Sequence, residues 1–79
     1  MSLDNTSFKH RGVITTARRP IQDEEVESFV GFFPEWLEKV TNVVRALRPN
    51  STLDHGEIDL TDGRPVAHAE FRQTGRARR

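Results

Sequence analysis

Residues 21–49, IQDEEVESFVGFFPEWLEKVTNVVRALRP, constrain this chain more than any other stretch. Wound at about 100° per residue, Val26, Val30, Phe33, Leu37, Val40, Val44 and Leu47 recur at alternating spacings of four and three. Phe29, Phe32, Trp36 and Val43 widen that stripe on one flank, to an arc of roughly 160°. Asp23, Glu24, Glu27, Glu35, Glu38, Lys39, Thr41, Asn42 and Arg45 fill the opposite side. The pattern predicts one long amphipathic helix.

The end signals agree. Asp23, Glu24 and Glu25 sit in the first turn, where carboxylates favour the positive end of the helix dipole. Gln22 as N-cap places Glu25 at the third helical position and lets Ile21 pack onto Val26. Arg45 and Arg48 lie near the last turn, and Pro49 pushes Arg48 out of helical geometry. Pro34 falls on the polar side and the apolar stripe passes it without a change of phase. The expectation is therefore one bent helix, not two helices broken at Gly31–Pro34.

A chain of 79 residues with 34% hydrophobic residues builds one small domain with a thin core. It has no cysteine, which excludes disulfide and thiolate–zinc frameworks and leaves oligomerisation as the ordinary source of extra stability. There is no run of apolar residues long enough to span a bilayer and no signal-like N-terminus, so a cytoplasmic protein without a membrane association is expected. Net charge is zero, but it alternates in blocks: positive over residues 1–19, negative over 20–35, positive over 36–50, negative over 51–63 and positive over 64–79.

Outside the helix the pattern turns to strands. Residues 1–8 read as a disordered arm, 9–72 as the α+β domain and 73–79 as a basic flexible tail. The β-branched run within residues 10–17 predicts a first strand, with poor alternation. Asp62-Gly63 is a preferred pair for a two-residue hairpin turn, which sets Thr61 opposite Arg64, Glu57 opposite His68 and His55 opposite Glu70. That register puts Ile58, Leu60, Pro65, Ala67, Ala69 and Phe71 on one face. The predicted order is β-α-β-β, with the helix packed on a small antiparallel sheet of order 2-3-1.

Three sets of residues invite a functional reading. Phe29, Phe32, Trp36 and Val43, on the flank of a wide apolar arc, are the expected partner-binding surface for a second copy or a larger protein. Arg11, Arg18 and Arg19 around the first strand, with Arg72, Arg76, Arg78 and Arg79 after the last, are the expected phosphate contacts if the partner is nucleic acid. A ribbon-helix-helix arrangement would be one form of the latter, if the helix broke at Pro34. His55, Glu57, His68 and Glu70 would share one hairpin face, where they can hold a divalent ion or simply pair as cross-strand charges; pairing is the commoner outcome on an open surface. No Gly-rich phosphate loop, nucleophile elbow or Cys is present, and no cofactor or small-molecule substrate is implied. The function expected is non-enzymatic: a regulatory protein acting as a homodimer or docked on a larger partner, with nucleic-acid binding as the alternative.

Overall fold

The computed structural model describes Leu3, residues 5–60 and residues 63–74. Strand β1 (Ser7–Arg11) and strand β2 (Ile14–Pro20) form a hairpin, followed by a 3-10 turn over Asp23–Glu25 and helix α1 (Val26–Leu47). Strands β3 (Ser51–Asp59) and β4 (Val66–Gln73) form a second hairpin. All pairings are antiparallel, and the sheet order is β1-β2-β4-β3. The fold is α+β, one helix laid on a four-stranded sheet.

This corrects both the expected β-α-β-β arrangement and the three-stranded order 2-3-1. The single strand expected over residues 10–17 is two strands, joined at Gly12-Val13, with Arg11 facing Ile14 across the turn. Gly12 has φ +63°, the positive value that lets a two-residue connection match the right-handed twist of its strands. The poor alternation of the run has its cause here, because the chain reverses in the middle of it. The new edge strand begins at Ser7, so Ser7 and Phe8 belong to the sheet and not to a disordered arm. Leu3 also packs against the core, and Thr6 accepts a hydrogen bond from Trp36.

The second hairpin keeps the expected register where it is regular: His55 faces Glu70, Glu57 faces His68, and Ile58 faces Ala67. The register shifts by one residue between Leu53 and His55. Among the described residues pairing runs as far as Asp59 and Val66; the expected Thr61–Arg64 pair lies partly outside them. The Asp62-Gly63 turn falls partly outside the described residues; Gly63 has φ +69° and donates its N–H to the Leu60 carbonyl at 3.1 Å. Leu60, expected on the apolar face, is exposed because the ladder ends before it. At the far end Gln73 belongs to β4 and Thr74 is tied to the Asn50 carbonyl, so the ordered sheet runs past the expected boundary at residue 72.

Helix α1 is continuous through Pro34, which is exposed. One helix, not two, leaves no place for the ribbon-helix-helix alternative. The entry is capped by Glu25, whose carboxylate accepts the Gln22 N–H at 3.0 Å. The helix crosses the sheet over an unusually low row of side chains. Phe8, Ala17, Ala69 and Gly56 are register partners across all four strands, and three of the four rise no higher than a methyl group. A Cβ on Gly56 would stand 3.0 Å from Leu37 Cδ2, so the helix approaches β3 as closely as a bare backbone allows. The core is Phe29, Trp36, Val40 and Val44 of the helix against Ala17, Ala67, Ala69 and Phe71 of the sheet, with Ile21 at the edge. Each of the larger side chains, once buried, stabilises the fold by about 1.5–3 kcal/mol.

Candidate functional site

The helix covers one face of the sheet, and among the described residues no element covers the other. Three cross-strand rows follow from the register on that open face. Ser7, Arg18, His68 and Glu57 form one; Lys9, Thr16, Glu70 and His55 form the next; Arg11, Ile14, Arg72 and Thr52 form the third. Pro20, Val66 and Asp59 continue the face beyond the first row. Side chains alternate along each strand, so every second residue faces outward here while its neighbours line the core.

Charge is divided across this face by strand. Lys9, Arg11 and Arg18 lie on β1 and β2; Glu57, Asp59 and Glu70 lie on β3 and β4, together with Arg72. Between the two charged sides runs a half-buried middle of Ile14, Thr16, Val66, His68 and Glu70. Lys9, Arg11, Ile14, Thr16 and Glu70 line a shallow depression of about 370 Å³. The carboxylate of Glu70 makes no ion pair or hydrogen bond with any described residue, although the side chain is half-buried. His68 Nδ1 is occluded and has no hydrogen-bond partner among the described residues.

The aromatic set expected to bind a partner is mostly consumed by the core. Phe29 is 3% exposed and Trp36 0%, while Phe32 and Val43 are half-buried. Phe29 packs edge-on against Phe32, Phe33 and Trp36, and Trp36 stacks on Phe33. The buried arc is thus centred on Phe29, Trp36 and Val40, and Val30 and Leu47 of the expected central stripe are the ones exposed. Aromatic rings carry the largest apolar area, so burying them outweighs keeping Val30 and Leu47 covered.

The arginines separate as well. Arg11, Arg18 and Arg72 are exposed on the open face, and Arg11 and Arg72 share a row on either side of Ile14. Arg19 is not available to a phosphate. It points to the helix side, 7% exposed, with its guanidinium 3.2 Å from Glu25 Oε2 and 4.8 Å from the centre of the Phe29 ring. The Gln22 N–H and then the Arg19 guanidinium hold the Glu25 carboxyl below its ordinary value. Arg76, Arg78 and Arg79 lie outside the described residues. Two cations that the candidate set omits join the same end of the molecule: Arg48 donates to His10 Nδ1 at 3.1 Å, and Arg45 donates to the Ser51 carbonyl at 3.1 Å. Only the tertiary fold brings the helix C-terminus beside β1.

His55, Glu57, His68 and Glu70 do share the open face in the expected register. His55 Nε2, however, lies 3.3 Å from Glu57 on its own strand, and the His55 and His68 rings are 6.5 Å apart. Among the described residues no three His, Cys, Asp or Glu side chains come together as a metal site. No described helix is long and apolar enough to cross a membrane. Compared with protein-family profiles, with curated proteins and with solved structures, the chain shows no match.

Proposed function

We propose that this is a small non-enzymatic interaction protein, acting as a homodimer or docked on a larger protein, and that it works through the open face of its sheet and not through the helix. The observation that carries the reading is the composition of that face: a half-buried middle containing Ile14 and Val66, flanked by cations on one side and carboxylates on the other. Antiparallel sheets tolerate one solvated face, but a purely solvated face has no need of aliphatic side chains in its middle. Mixed charge around an apolar centre is the ordinary anatomy of a protein contact surface. The helix, by contrast, has already spent its best anchors, Phe29 and Trp36, on the core.

Paired substitutions test the choice of surface. Ile14→Asp and Val66→Asp on the sheet should abolish association, measured as sedimentation of the protein alone and as co-purification with host proteins. Val30→Asp and Leu47→Asp on the helix should leave both unchanged. Loss with the helix variants and retention with the sheet variants would overturn the proposal.

A second reading, nucleic-acid binding, is favoured by one observation: Arg11 and Arg72 meet in a single row, and Arg45 and Arg48 lie at the same end. Retention on duplex DNA should then fall with salt, with a log–log slope of about −0.9 per phosphate neutralised. Arg11→Ala with Arg72→Ala should make that slope shallower by about two. Absence of binding at low salt removes this reading.

A further inference from the structure

We infer that the occupant of the open face is a second copy of this chain, docked face to face about a two-fold axis parallel to the strands; this rests on the reading of the open face as the contact surface. The argument is one of charge and symmetry. In a face-to-face dimer the two-fold axis lies in the plane between the sheets, and for aligned sheets it runs nearly along the strands or nearly across them. An axis across the strands sets β1 over β1 and β3 over β3 of the second copy, so that Lys9, Arg11 and Arg18 would meet their own images and Glu57, Asp59 and Glu70 theirs. An axis along the strands, passing between β2 and β4, sets β1 over β3 and β2 over β4. The cationic half of each copy then lies on the anionic half of the other.

The rows turn this into specific neighbours. Thr16 comes opposite Glu70 of the second copy, and its hydroxyl can donate to the carboxylate that has no partner among the described residues of its own chain. Lys9 comes opposite His55 and one row from Glu57; Arg18 comes opposite His68, with Glu57 on the next strand of the same row and Glu70 one row away. Arg72 is the cation on the anionic half, and it comes opposite Ile14, a neutral residue. Aligned sheets pack about 10 Å apart at roughly −30°, a distance that Lys, Arg and Glu side chains span from both sides. Four strands give a face about 14 Å wide between the outer strand axes, which places the contact at the small end of stable interfaces and predicts a reversible dimer.

Two charge-reversed chains test the geometry. One carries Lys9→Glu and Arg18→Glu, making its open face net acidic although Arg11 and Arg72 remain; the other carries Glu57→Lys and Glu70→Lys, making it net basic although Asp59 remains. Circular dichroism establishes that each is folded, and sedimentation equilibrium measures association. The expected result is that the unsubstituted protein dimerises with an affinity that weakens with salt. Each variant alone should associate at least about tenfold more weakly, since four symmetry-related ion pairs become repulsive. The equimolar mixture should form a heterodimer tighter than the parent dimer. Dimerisation of either variant alone with the parent affinity would overturn the axis and this inference together. A parent chain that stays monomeric at every concentration would also overturn it. The broader reading of the open face would then stand or fall on whether Ile14→Asp and Val66→Asp lose a larger partner.

Discussion

Trp36 offers the sharpest test of how the helix is seated. It is the only tryptophan, it is 0% exposed, and its indole N–H donates to Thr6 Oγ1 at 3.2 Å. Its ring lies 6.1 Å from Phe29 and 5.8 Å from Phe33. Truncating a buried ring of this size costs about 3–5 kcal/mol. A domain of 79 residues has a total stability of about 4–12 kcal/mol. Trp36→Ala should therefore remove from a quarter to all of the folding free energy and lower Tm by at least about 12 °C. Smaller perturbations divide that loss. Thr6→Val keeps the shape of the acceptor but strands the indole N–H, at a cost of about 1–3 kcal/mol. Trp36→Phe gives up the donor and part of the ring, also about 1–3 kcal/mol. The double variant should be less destabilised than the sum by about 1 kcal/mol, because the N–H stranded by the first change is absent after the second. Urea denaturation followed by circular dichroism measures all three and does not depend on the tryptophan being present. If Trp36 were an exposed anchor for a partner, Trp36→Ala would change monomer stability by no more than about 0.5 kcal/mol, and that result would refute the core assignment.

Other perturbations follow from single features of the backbone and of one ion pair. Pro34 is exposed inside α1 and cannot supply an N–H to the Val30 carbonyl, so Pro34→Ala should stabilise by about 1–3 kcal/mol, and an unchanged urea midpoint would refute a continuous helix. Gly31→Ala, in open space on the same helix, should stabilise by about 0.5–1 kcal/mol; Gly12→Ala, also in open space but at φ +63°, should destabilise by about 1–2 kcal/mol, and the same sign for both would contradict the hairpin turn. The lowered Glu25 carboxyl predicts a stability contribution that is complete above its ordinary value of 4.5 and is lost as pH falls through the lower folded value. Glu25→Gln should flatten that acid limb of the denaturation curve, and an identical limb in the variant would show that the Gln22 and Arg19 contacts are not the cause.

Much of the architecture is local and was therefore readable from residue order. The four–three spacing from Val26 to Leu47 specifies a helix whatever it packs on, and Pro34 on the polar side left that periodicity intact. Alternation in β3 and β4 specifies which residues share a face, and a two-residue turn at Asp62-Gly63 implies the register of His55, Glu57 and Ile58 against Glu70, His68 and Ala67. Gly12 carried a weaker signal, since Gly-Val is not one of the strong hairpin pairs and the β-branched residues after it read as one strand. What periodicity cannot convey is the shape of the opposing surface. An apolar arc of roughly 160° is wider than one sheet covers, so many rotations of the helix are compatible with it. The low row Ala17, Ala69 and Gly56 selects among them: it lets Leu37 come down onto Gly56, and the rotation that results buries Phe29 and Trp36 and exposes Val30. The same packing decides the fate of the arginines: Arg18 and Arg19 are neighbours in sequence, yet the two-residue period of β2 sends one to the open face and the other under the helix against Glu25 and Phe29. Which of two adjacent cations is free to meet a partner depends on where the helix lies, and that is a property of the assembled layers.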